Sequence, residues 1–139
     1  MVKKYKAMVL SCIDPRFQPK VFYYLKRKKL TGQYSSFTIA GAAIGVTHTK
    51  FKKWQKTFIE NLSTSIQLHK INRLIVINHK DCGAAKSVNG KKKFDKTNEN
   101  KIHRVSFKKM KRMIKKSFPK LNCQFYLMNL KGSIKKINV

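Results

Sequence analysis

Apolar and polar positions along this 139-residue chain alternate between two rhythms. Short continuous apolar runs bounded by turn residues predict buried strands, and stretches with an apolar residue every three or four positions predict amphipathic helices. Tyr5 to Cys12 reads as a first strand built on Ala7-Met8-Val9-Leu10. Pro19 suits the first turn of a helix whose apolar stripe is Val21, Phe22 and Leu25. Gly32 ends that connection, Tyr34 to Ala40 reads as a second strand, and Gly41 to Gly45 as a close-packed turn after it.

Phe51, Trp54, Phe58, Leu62, Ser65, Ile66 and His69 recur at helical spacing, so residues 50–69 predict a long amphipathic helix. Arg73 to Asn78 follows as a strand whose unbroken Leu74-Ile75-Val76-Ile77 suits a central position buried on both faces. Ser87 to Asn100 is polar, with Asn89-Gly90 and a lysine triplet, and predicts a mobile loop. Ile102, Val105, Met110, Met113, Ile114 and Ser117 describe a further helix that stops before Pro119. Cys123 to Leu130 is another strand, and Lys131-Gly132-Ser133 turns into a short last strand, Ile134 to Val139, predicted antiparallel at an edge.

That order predicts an α/β fold, a three-layer sandwich with a mostly parallel central sheet of four to five strands. The length fits one hydrophobic core, no repeat is visible, and residues 1–139 read as a single domain. The hydrophobic fraction of 42% is enough for that core. No apolar run approaches the ~20 residues of a membrane helix. The basic start, Met1 to Lys6, resembles that of a signal peptide, but the apolar stretch behind it is too short, which predicts a cytoplasmic protein.

Charge changes the picture less than its size suggests. The chain has 33 basic against 5 acidic residues, a net charge of +28. Such a field favours anionic partners, nucleic acid among them. Only five of the basic residues are arginine, the residue that base reading and planar phosphate recognition favour, and no RNA-recognition strand motif is present. Nucleic-acid or polyanion binding, with any metal site only structural, is therefore the less favoured reading.

The chemistry sits in two fragments, Cys12-Ile13-Asp14-Pro15-Arg16 and His79-Lys80-Asp81-Cys82-Gly83, each where a strand gives way to a loop. Three cysteines do not make a disulfide framework. Thiolate and imidazole are the donors zinc prefers, and a catalytic zinc site uses three protein ligands and keeps the fourth position for water. Ligands of open α/β sheets gather at the C-terminal ends of strands, so adjacency of the first and third strands would bring Cys12 to His79 and Cys82. Asp14 and Arg16 share parity with Cys12. Asp14 could accept a hydrogen bond beside the metal with Arg16 orienting it, or could itself be the fourth ligand. Asp81 reads as a turn or capping residue and Cys123 as core; His48 and His69 read as structural or solvent-facing, and His103 has no supported role.

Cys-x-Asp-x-Arg followed by His-x-x-Cys-Gly resembles the β-class carbonic anhydrases, and the order of elements resembles that family over nearly the whole chain. The resemblance implies that Cys12, His79 and Cys82 bind Zn²⁺ with Asp14 and Arg16 as the neighbouring catalytic dyad. It implies reversible hydration of CO₂ to bicarbonate by a zinc-bound hydroxide, in a homodimer or larger homo-oligomer. Where the family carries Arg-Asn before its Ala-Gly turn, this chain has Thr38-Ile39. A changed pocket of this kind leaves open another small substrate, such as COS or CS₂, or an inactive homologue.

Overall fold

The computed structural model describes residues 3–139; Met1 and Val2, the start of the basic N-terminal run, lie outside the described residues. The described residues form five strands: β1 (Ala7–Ser11), β2 (Tyr34–Thr38), β3 (Arg73–His79), β4 (Asn122–Met128) and β5 (Ile134–Lys136). They form one sheet in the order β2-β1-β3-β4-β5, parallel throughout except for β5, which runs antiparallel to β4 at the edge. Among the described residues there are also five α-helices: α1 (Gln18–Arg27), α2 (Ala43–Thr47), α3 (Lys52–His69), α4 (Gly83–Asn89) and α5 (Lys96–Ser117). No helix among the described residues is long and apolar enough to cross a membrane.

Side chains of a strand alternate between its two faces, and both faces of this sheet are covered. Met8, Leu10, Leu74 and Val76 meet Phe58 and Leu62 of α3 and Phe107, Met110 and Ile114 of α5. Ala7, Val9, Ile75 and Ile77 meet Phe17, Tyr24 and Leu25 on the α1 side. Complete burial of each large side chain contributes roughly 1.5–3 kcal/mol, which is what holds the three layers together.

Three expectations need correction. The buried stripe of α1 is Phe17, Val21, Tyr24 and Leu25, and Phe22 is exposed. The Gly41–Gly45 turn runs directly into α2, and Ala42 enters it at φ 49°. The loop predicted for 87–100 is confined to residues 90–95, because α4 ends at Asn89 and α5 begins at Lys96, where the Asp95 carboxylate accepts the Asn98 N–H at 2.9 Å.

Candidate metal centre

β1 and β3 are neighbours, with Ser11 opposite Ile77, so Cys12 leaves β1 beside the loop that follows His79. The chain after β1 turns to one face of the sheet as α1, and the chain after β3 turns to the other as α4 and α5. That divergence opens the crevice in which ligands of such sheets are held. The donor atoms of Cys12, His79 and Cys82 all lie within 4.8 Å of one another, and all three residues are buried. The other thiol and imidazoles stand elsewhere. Cys123 packs against the core, and His69 Nδ1 bonds Ser35 Oγ at 2.8 Å.

His79 is prepared as a ligand on both sides of its ring. Nδ1 donates to the Lys80 carbonyl at 2.7 Å, which fixes the tautomer and leaves the Nε2 lone pair free. Phe17 stacks on the imidazole with centroids 4.0 Å apart, setting its plane. Nε2 is buried with no hydrogen-bond partner. A buried polar atom without a partner costs roughly 1–3 kcal/mol, and a metal ion among the three donors removes that cost. Burial alone would lower the His79 pKa; the neighbouring Cys12 sulfur and the Lys80 carbonyl raise it.

The two thiols differ. A hydrogen bond from the Cys82 thiol, working against burial and aided by His79 and by main-chain N–H groups, brings Cys12 down to about 4. The Gly41 N–H is one of those donors, 3.2 Å from Cys12 Sγ. Cys82 keeps the shared proton and is raised accordingly. Two thiols, one of them held well below its ordinary pKa, beside an unpaired imidazole nitrogen fit a soft or borderline divalent ion, which is the chemistry of zinc.

Asp14 stands at the edge of this cluster, its Oδ2 3.8 Å from His79 Nε2. Both of its oxygens are occupied by Arg16. Oδ1 accepts the Arg16 main-chain N–H at 2.9 Å and Nε at 3.1 Å, and Oδ2 accepts Nη2 at 2.8 Å. The Arg16 side chain holds the Asp14 carboxyl down at about 2, against the opposing effect of burial. Arg16 also reaches the second fragment, donating to Asp81 Oδ2 at 2.9 Å and to the Asp81 carbonyl at 3.0 Å. Asp81 is indeed a turn residue, at φ 57°, but its carboxylate also completes the clamp on Arg16.

Sequence reasoning passed over two further residues at the site. One is Phe17, which lies between the first motif and the helix. The other is Glu99, a buried carboxylate whose Oε2 accepts the Cys82 N–H at 3.0 Å. Its signal was scarcity, one of five acidic residues in a chain with 33 basic ones. The largest cavity described, about 630 Å³, lies between α5 and the β4–β5 hairpin and touches the metal loop only through Lys80. We assign the chemistry to the donor cluster, because the cavity offers none of its ligands.

The five-stranded sheet and the helices that cover it have the fold of the β-carbonic anhydrases. The crystal structures of two tetrameric β-carbonic anhydrases from the filamentous ascomycete Sordaria macrospora match at TM-score 0.67 and 11% identity, over 99% of this chain and 82% of theirs. The β-carbonic anhydrase CcaA matches at TM-score 0.65 and 13% identity, over 98% of this chain and 81% of its own. In sequence, the chain belongs to the family described as "Putative carbonic anhydrase", whose model matches residues 2–138. Uncharacterized proteins of Rickettsia bellii (strain RML369-C) and Rickettsia conorii (strain ATCC VR-613 / Malish 7) are 28% and 27% identical over 131 residues, 94% of this chain and 80% and 70% of theirs.

Proposed function

We propose that this protein is a zinc-dependent carbonic anhydrase of the β class, with Cys12, His79 and Cys82 as metal ligands and Asp14 and Arg16 as the catalytic dyad. The observation that carries the reading is the buried, unpartnered His79 Nε2 between two thiols, with an ionised carboxylate alongside. Cys12, His79 and Cys82 would hold a zinc ion there, and it would supply Lewis acidity that lowers the pKa of water from about 15.7 toward about 7. Three protein ligands leave one position for water or substrate. Asp14 is engaged at both oxygens by Arg16, which favours an open site over one closed by the carboxylate. As an ionised acceptor at neutral pH, Asp14 orients an O–H placed beside the metal and selects for it. Arg16 keeps that carboxylate aimed, and the surrounding positive charge attracts bicarbonate.

We also propose a homo-oligomer. Ile13, between Cys12 and Asp14 in the chain, is 57% exposed, an apolar side chain that a second copy would cover. The matched Sordaria macrospora enzymes are tetrameric.

The test is stopped-flow CO₂ hydration on zinc-quantified protein with Cys82→Ser as the blank. The reading expects one zinc per chain and turnover well above the blank, falling at least ~10-fold in Asp14→Asn at unchanged zinc content. A full complement of zinc without CO₂ turnover would transfer the assignment to another heterocumulene such as COS. Submicromolar nucleic-acid binding with a steep salt slope and no turnover on either substrate would favour the polyanion reading.

A further inference from the structure

Glu99 is 5% exposed on α5, and burying a carboxylate is costly unless it is paired and hydrogen-bonded. Here every oxygen is used. Oε2 accepts the Cys82 N–H at 3.0 Å, with the Asp81 N–H beside it and His103 Nε2 at 3.4 Å. Oε1 faces Lys80 Nζ at 3.6 Å. Behind it the network continues without a gap. Asn78 Oδ1 accepts the Ala43 N–H at 3.1 Å, which orients the amide so that Nδ2 donates to His103 Nδ1 at 2.9 Å. His103 must then carry its proton on Nε2, directed at Glu99. The carboxylate thus joins the three residues that follow His79 to α5, and through His103 and Asn78 to the end of β3 and the start of α2.

We infer that Glu99 is a positioning residue for the metal loop: it clamps the main chain of Asp81 and Cys82 so that the Cys82 sulfur faces Cys12 and His79. The same clamp reaches the dyad, because Asp81 binds Arg16 through both its carboxylate and its carbonyl. Ligand-orienting groups outside the coordination sphere typically change metal affinity ~10–100-fold when removed. Glu99 differs from the usual orienting carboxylate in holding the backbone of a thiolate ligand and leaving the imidazole to the Lys80 carbonyl. The inference rests on the proposal that Cys12, His79 and Cys82 bind zinc.

The experiment uses the full chain as wild type, Glu99→Ala and Glu99→Gln. It measures zinc affinity by chelator competition, the thiolate-to-metal bands after Co²⁺ substitution, and hydrogen exchange at the Asp81 and Cys82 amides of the metal-free protein. Glu99→Ala is expected to weaken zinc ~10–100-fold, alter the cobalt spectrum and release both amides to fast exchange. Glu99→Gln, which keeps an acceptor for the Cys82 N–H, should recover most of the affinity. A folded Glu99→Ala protein with wild-type zinc affinity and cobalt spectrum would overturn the inference, even if it melted at a lower temperature. If Glu99→Ala fails to fold, exchange in the wild type decides: a slow Cys82 amide supports the clamp, and one as fast as an open loop overturns it. A wild type that binds zinc but does not hydrate CO₂ would end the functional proposal and leave this one standing. A wild type that takes up no zinc would end both the functional proposal and the role of Glu99 in placing a ligand.

Discussion

Arg16 and Asp81 join the two motifs: the guanidinium spans from Asp14, two residues back, to a carboxylate and a carbonyl 65 residues ahead in the chain. A planar fork with five donors can satisfy all of these acceptors, whereas an ammonium is a point charge that satisfies one at a time. Arg16→Lys should therefore keep its zinc and its melting temperature but lose activity, with kcat/KM down about 10–100-fold as Asp14 loses its fixed aim. Metal analysis, thermal unfolding and stopped-flow kinetics on the same preparation check this. An Arg16→Lys enzyme with wild-type kcat/KM would mean that charge alone suffices there.

The three thiols should separate by reactivity. Burial pushes Cys123 up to about 11, so it remains a protonated, inert thiol at neutral pH. Cys12 and Cys82 belong to the donor cluster and should be shielded while zinc is bound. Alkylation at pH 7 followed by mass mapping should find no labelled cysteine in the zinc form, and after chelation labelling first at Cys12, the one thiol whose pKa is lowered, with Cys82 and Cys123 slower. Cys123 should begin to react only as the pH is raised toward 11. Labelling of Cys123 at pH 7 as fast as Cys12 would contradict the burial argument.

What could be read from the chain and what could not divide along a physical line. The ends of β1 and β3 were legible because a continuous apolar run followed closely by Asp-Pro or by Lys-Asp-Cys-Gly admits few alternatives. With two strands placed side by side, the Cys12–His79–Cys82 cluster follows from topology. The start of α5 was illegible to apolar periodicity because the residues it buries there are Glu99, His103 and Ser106, all polar. Asp95 as a cap was the available signal. Phe22 was assigned to the wrong side because the phase of α1 is set by Phe17, outside the helix, giving a stripe at 17, 21, 24 and 25. The clamp on Arg16 needs a contact across 65 residues, and no local pattern carries it.

The buried network should give the metal-free protein a pH dependence of stability near neutrality. Burial lowers the pKa of His103 below its ordinary 6.5, despite the opposing pull of Glu99 on its own helix; Lys80 and His79, at the end of β3, push the same way as burial. For a base with a depressed folded-state pKa, the unfolded chain binds more protons, so stability rises with pH. The contribution is fully present above 6.5 and is lost as the pH falls from there through the lower folded value. Denaturant unfolding at pH 7.5 and 5.5 should show wild type losing more stability than His103→Gln over this interval. An equal or larger loss in His103→Gln would place the pH dependence elsewhere.

Gly41 links backbone conformation to the metal centre. Its φ of 78° lies in the left-handed region, where a side chain is strained, and a Cβ added there would stand 2.6 Å from the Ala84 Cβ. That neighbour cannot yield cheaply, because Ala84 lies in the first turn of α4, the helix that starts immediately after Cys82. Gly41→Ala should cost about 1–3 kcal/mol from backbone strain and overpacking together. The relief available is a shift of the 40–42 turn, which would carry the Gly41 N–H away from Cys12 Sγ, now 3.2 Å distant. A lost donor makes Cys12 a less stabilised thiolate, so zinc affinity should fall along with the melting temperature. Gly83→Ala is the control: no atom lies within 4 Å of its added Cβ, its φ is outside the left-handed region, and it is as close in sequence to Cys82 as a residue can be. Thermal unfolding and chelator competition on both variants should show Gly41→Ala impaired in each measurement and Gly83→Ala close to wild type in both. Equal behaviour of the two would show that the turn at Gly41 yields without disturbing Cys12.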